Sequence, residues 1–218
     1  MLTESVRVSD GETPYARKTR ARILAAAERR FKHYGYAKTS MVDIASDCAM
    51  SHANLYRFFR GKIDLVDAIA ASWLAKSERI CREVALRPIS ARERLVEFVA
   101  TLHRWKLREY VKDSRAHELL SLASLERRPF IAIHLETLAG LLVDIIEDGN
   151  ARGEFDVRDP RGLATIVQHA TVRFTDPSQV ARYSGEPLEA QARDVMMLLV
   201  AGIPTPRRPG VAAPSTGR

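Results

Sequence analysis

Cysteine is scarce in this 218-residue chain, with only Cys48 and Cys81, far apart and outside any CxxC spacing. That excludes a disulfide framework and a cysteine zinc site, and such usage fits a reducing cytoplasm. No unbroken apolar run reaches the ~18 residues that a bilayer span requires, so no membrane partner is expected. The opening MLTESVRVSDGETPYARKTR lacks the apolar core of a secretion signal. Runs of alternating β-branched residues are missing, and so are internal repeats, which removes sheet and solenoid architectures. GxSxG, GxxxxGKS, GxxxxGKT, GxGxxG and HExxH are all absent, so nothing points to an enzyme.

What is present is a helical, unevenly charged protein. Hydrophobic residues make up 46% of the chain and charged residues 28%, as in an ordinary globular protein. Eleven basic residues against three acidic ones give residues 14–62 a net charge of +8, while the whole chain carries +7. A basic segment joined to a near-neutral remainder points to a polyanionic partner for the first part alone, the alternative being a merely solvated face.

The expected organisation has four parts. Residues 1–13 form a polar arm, 14–62 a DNA-binding unit, 63–202 a helical effector-binding and dimerisation unit, and 203–218 a Pro- and Gly-rich disordered tail. Helices are expected over about Arg17 to Tyr34, Ser40 to Cys48, Ser51 to Phe58 or Phe59, Lys62 to Ala85, and Ala91 to Val111. Further helices are expected over Ser114 to Leu125, Pro129 to Arg152, Pro160 to Phe174, and Leu188 to Ala201. The stretch from Pro177 to Tyr183 is ambiguous. The fold class is all-α.

Thr39 to Phe59 has the build of a helix-turn-helix, with two short helices, a tight turn, inward apolar positions and polar outer ones. Such a unit sets its second helix in the major groove. By itself it also describes an ordinary helical hairpin. The wider line TRARILAAAERRFKHYGYAKTSMVDIASDCAMSHANLYRFFRGKIDLVDAI closely resembles the N-terminal domain of the TetR family. Ile23-Leu24, Ala26-Ala27, Phe31, Gly35, Thr39, Ile44-Ala45, Ser51, Leu55-Tyr56, Phe58 or Phe59, Lys62 and Leu65 carry that resemblance. One departure is Ala49, in a turn where the family usually has Gly; a left-handed Ala costs about 1 kcal/mol.

The resemblance and the chemistry together imply DNA-binding roles. Ser51, His52, Ala53, Asn54, Tyr56 and Arg57 fall on the recognition helix, with Leu55 and Phe58 packing inward. Asn54 suits adenine, and Arg57 suits guanine or phosphate. Tyr56, a hydroxyl of Thr39 or Ser40, and Lys62 are expected at phosphates, and Lys18 and Arg20 at a flanking phosphate or the minor groove.

For the remainder the resemblance implies architecture only: a ligand-binding bundle whose last two long helices pair with those of a second subunit. Met196 to Val200 form an apolar run suited to burial on several sides. Phe98, Trp105, Tyr110 and Phe130 are candidates to line an effector pocket, or else core packing. His103, His117, His134 and His169 lie one per expected helix. They are either hydrogen-bonded core or pocket residues, or ligands converging on a zinc-like divalent ion, with Glu118 beside His117; local HxxxH spacing is absent.

The expected function is that of a homodimeric regulator binding a palindromic double-stranded DNA operator, a repressor released by a small molecule. Alternatives are a metal-responsive regulator using those histidines, or an architectural DNA-binding protein without an effector.

Overall fold

The computed structural model describes residues 13–114 and 129–206. The expected helix from Ser114 to Leu125, His117, and nearly all of the expected arm and tail lie outside the described residues. Among those described, the structure is helical throughout: α1 (Pro14–Tyr34), α2 (Met41–Asp47), α3 (His52–Tyr56), α4 (Lys62–Ala85), α5 (Ala91–Lys112), α6 (Pro129–Ala151), α7 (Pro160–Ala170), α8 (Val172–Thr175), α9 (Pro177–Arg182) and α10 (Leu188–Ala201).

Local chemistry sets these boundaries. The Thr13 side chain caps α1 with Pro14 in its first turn, and Gly35 ends it at φ 85°. Ser40 with Asp43, and Ser90 with Glu93, form reciprocal capping boxes at α2 and α5. Asp159 before Pro160 and Asp176 before Pro177 start α7 and α9 by accepting from backbone N–H groups of the first turn. The helix expected from Pro160 to Phe174 is broken. Thr171 leaves helical geometry at φ −108°, ψ 8°, and its hydroxyl donates back to the Val167 carbonyl at 2.7 Å. Such side-chain bonding to the preceding turn bends helices, and here it separates α8 from α7.

Two cores result. The first joins Ile23, Ala27 and Phe31 of α1 with Met41, Ile44, Leu55 and Phe59, and with Leu65 and Ile69 of α4. The second joins Cys81 and Val84 at the far end of α4 to Leu95, Phe98 and Leu102 of α5. It continues through Leu142, Ile145 and Ile146 of α6, Val167 of α7, and Met196 of α10. One unbroken helix, α4, therefore belongs to both cores. A second tie is the ion pair between Lys32, late in α1, and Asp113 at the end of α5, at 3.2 Å.

By length and composition alone α6 could cross a membrane. It lies instead against α4, α5 and α7. Phe130, His134, Leu138, Leu142 and Ile146 are among its buried residues, and Gly149 lets Phe155 pack directly on its backbone.

Candidate nucleic-acid interface and ligand cavity

The turn between α2 and α3 is closed by backbone bonds. Ala49 N–H reaches the Ser46 carbonyl at 2.9 Å and Met50 N–H the Ala45 carbonyl at 3.1 Å. This path requires Ala49 at φ 47°, the sole positive φ of a non-glycine among the described residues. Ser51 caps α3 by accepting from Asn54 N–H at 3.2 Å. Leu55 and Phe59 are buried and fasten α3 from beneath; Phe58, expected inward, is only partly covered. On the opposite side Ser51, His52, Ala53, Tyr56 and Arg57 face solvent, and Asn54 is half-buried. The rings of His52 and Tyr56 meet edge to face at 4.7 Å, aligning both along one edge of α3.

The residues expected at phosphates divide into two groups. Lys18 is exposed at the start of α1, and the Arg20 guanidinium lies 4.7 Å from the Phe59 ring centre, beside the base of α3. Thr39, Ser40 and Lys62 are engaged within the protein. Thr39 is buried and donates to the Gly35 carbonyl at 2.9 Å. Ser40 donates its hydroxyl proton to Asp43 at 2.6 Å. Lys62 donates to the carbonyls of Tyr36 and Thr39, at 2.7 and 3.0 Å, and sits over the Tyr36 ring. These three hold the turn between α1 and α2 in place. Arg30 binds Asp47 through two hydrogen bonds at 2.7 Å and also pairs with Asp43. That ties two of the three acidic residues of the basic segment to a single arginine.

The second core encloses a cavity of about 210 Å³ between α4, α5, α6, and the α7 to α9 stretch. Its wall is mostly apolar, with Phe98, Leu102, Leu138 and Val167 prominent, and it also carries Lys106, His134, Gln168 and Asp176. Of the four expected pocket residues only Phe98 lines it. Trp105 is buried outside the lining, Tyr110 is half-buried and also outside it, and Phe130 packs on Ala70 and Leu74 in a separate small cluster.

The metal reading is not supported. No cluster of three or more His, Cys, Asp or Glu residues among the described residues has the proximity to hold an ion. His103 is buried with Nδ1 at 3.0 Å from the Phe174 carbonyl. His134 Nδ1 lies 2.6 Å from Glu78 Oε1 of α4, and His169 is exposed at the cavity rim. His103 and His134 are thus each held by a different neighbouring element, and His169 has no such partner among the described residues.

Lys106 escaped the sequence reading. It is buried, and desolvation lowers its pKa to about 8. Its signal was present: Phe98, Leu102 and Lys106 follow one another at i+4, which sets the lysine on the apolar stripe of α5. Desolvation likewise lowers the pKa of His134, against the opposing effect of the hydrogen bond it donates to Glu78.

Two family models match the chain. "Bacterial regulatory proteins, tetR family" covers residues 23–69, and "Tetracyclin repressor-like, C-terminal domain" covers residues 91–196. Among curated proteins, the probable HTH-type transcriptional regulator ArpR of Pseudomonas putida is 33% identical over 85 residues, which is 37% of this chain and 40% of ArpR. The HTH-type transcriptional regulator TtgR, also of Pseudomonas putida, is 36% identical over 67 residues, or 31% of this chain and 32% of TtgR. The chain thus spans at most 40% of the length of these two relatives.

Solved structures share the fold along nearly the full length. A TetR-family regulator from Pectobacterium atrosepticum superposes with a TM-score of 0.67 at 19% identity, over 90% of this chain and 100% of that one. FadR of Bacillus subtilis, in complex with stearoyl-CoA, gives 0.61 at 21% identity, over 84% and 98%. The chain belongs to the TetR family of bacterial transcriptional regulators.

Proposed function

We propose that this protein is a ligand-responsive, homodimeric transcriptional regulator, most simply a repressor, in which α3 reads the DNA major groove and the cavity takes the effector. The observation that supports this best is the placement of α4. It contributes Leu65 and Ile69 to the core beneath α3, and at its other end Leu74 lines the cavity while Glu78 binds His134. A ligand that displaces α6 or α5 therefore acts on the helix that carries the DNA-binding unit. The pair Lys32 to Asp113 supplies a second path from α5 to α1.

Regulation then requires only that the effector prefer the conformation whose two recognition helices do not match the operator. The outward stripes of α7, with Ile166, and of α10, with Met197 and Leu198, supply an apolar face for the second subunit. A dimer of this kind presents its two copies of α3 to half-sites about one helical turn apart. A reducing cytoplasm, with double-stranded DNA as partner, suits these properties.

Selection of fragments from the source genome by the purified full-length protein, followed by footprinting, tests this. Recovery of a small set of fragments sharing a two-fold symmetric protected site is expected. Uniform recovery regardless of sequence would leave an architectural DNA-binding protein as the better account.

A further inference from the structure

The cavity wall has an electrostatic asymmetry that bears on what it holds. Lys106 is 5% exposed. Its ammonium has one hydrogen-bond acceptor among the described residues, the carbonyl of Thr175 between α8 and α9. An ammonium has three donors, so two have no acceptor among the described residues, in a largely apolar surround. The carboxylates nearby make no hydrogen bond or ion pair with Lys106 among the described residues, although Asp176 is close enough to favour its charged form. Asp176 accepts from Ser178 N–H, Ser178 Oγ–H and Gln179 N–H at the start of α9. Glu78 accepts from His134 Nδ1, since a carboxylate can only accept. A buried cation held in no direct ion pair is costly, by several kcal/mol in real proteins. Yet a leucine or methionine in its place would complete the stripe begun by Phe98 and Leu102.

His134 repeats the pattern. With Nδ1–H given to Glu78, the Nε2 of the same ring is buried without a partner. In the neutral ring that nitrogen accepts a hydrogen bond. One donor-rich cation and one unpartnered acceptor thus share a cavity whose apolar walls include Phe98, Leu102, Leu138 and Val167, and whose polar lining also includes Gln168 and Asp176. Its volume of about 210 Å³ suits a single ring or a short chain, given that an engineered cavity of ~150 Å³ takes up benzene.

We infer that the effector is a small organic monoanion, a single-ring or short-chain carboxylate. Its carboxylate pairs with Lys106, its apolar body lies against Phe98, Leu102, Leu138 and Val167, and a hydroxyl on that body, where present, is taken by His134 Nε2. This rests on the reading of the cavity as the effector site, and it narrows that reading to a chemical class.

The test is calorimetric and thermal-shift titration of the full-length protein with benzoate, the three hydroxybenzoates, phenylacetate and hexanoate, each beside its uncharged amide. Wild-type protein should bind at least one carboxylate, with its amide weaker by roughly thirty-fold or more, the scale of losing one partner of a buried charge pair. Lys106→Met should abolish that preference while keeping the helical circular-dichroism signal, and the acid-to-amide comparison on wild-type protein stands even if this variant does not fold. Equal binding of acids and amides, binding of none of the panel, or an unchanged preference in folded Lys106→Met would each overturn the assignment. The same titrations on protein bound to its selected DNA separate the two readings. Release by an uncharged compound retires the anion and keeps the ligand-responsive regulator, whereas a carboxylate that binds through Lys106 but leaves DNA affinity unchanged retires the regulatory coupling and keeps the anion site.

Discussion

At Ala49 the backbone sits at φ 47°, where a Cβ is disfavoured, because the turn must bring Ser51 into capping position within three residues of Cys48. Glycine adopts this conformation without penalty, at the cost of more entropy to lose on folding. Ala49→Gly is therefore expected to stabilise the protein by up to about 1 kcal/mol, read as a rise in the urea midpoint at unchanged slope. A fall in the midpoint would mean that the strain is relieved by neighbours. Cys81 makes a second residue-scale case. It is fully buried and desolvation pushes its thiol up to about 12, so it should resist thiol reagents in the native state and react only on unfolding. Rapid native labelling at Cys81 would contradict its placement in the core.

Among the described helices, α5 and α10 share the most extensive packing, and two ion pairs rim it: Arg193 with Glu97 at 2.5 Å, and Arg104 with Glu189 at 2.7 Å. Hydrogen bonds from Arg193 and Arg104 hold the Glu97 and Glu189 carboxyls below their ordinary range. A carboxyl whose folded pKa is depressed adds stability above its unfolded value, near ~4.3 for Glu, and loses it as pH falls through the folded value. Thermal stability should accordingly drop on acidification from about pH 5 to below ~4, and less steeply in Arg193→Leu; identical slopes would show that the pair contributes nothing.

Gly149 of α6 marks another contact, since a Cβ there would fall 2.3 Å from the Phe155 ring and 2.8 Å from Ala91 Cβ. Gly149→Ala should destabilise by about 1–3 kcal/mol in chemical denaturation, as overpacked cores do.

The elements differed in how legible they were. The span Lys62–Ala85 follows directly from the sequence, because Gly61 and Pro88 bracket a strong 3.6-residue periodicity. The break at Thr171 carries no Pro or Gly, and only the local side-chain bond back to the Val167 carbonyl reveals it. The exposed face of α3 was legible from Leu55 and its polar neighbours. The cavity was not: Trp105, Tyr110 and Phe130 have the size of pocket residues, but helix rotation, which no single helix determines, points them away from it. The hydroxyls of Thr39 and Ser40 and the Lys62 ammonium have the chemistry of phosphate contacts, yet each already has an intramolecular acceptor.

For the whole molecule, Leu198 is 76% exposed and Ile166 56%, large apolar side chains on α10 and α7 with no described neighbour to cover them. If these stripes meet a second copy, Leu198→Asp should convert a dimer to a monomer in sedimentation, and the monomer should lose cooperative binding to a two-fold site. A dimer undisturbed by Leu198→Asp would place the interface elsewhere.

The central claim is that α3 reads base sequence. The direct measurement is a competition titration at fixed salt, comparing a selected genomic site with random duplex, for wild type and for Asn54→Ala/Arg57→Ala. Wild type should prefer the selected site by at least about a thousand-fold, and that preference should collapse in the variant while its weak affinity for random duplex largely persists. Equal affinity of the wild-type protein for both duplexes, or an undiminished preference in the variant, would contradict it.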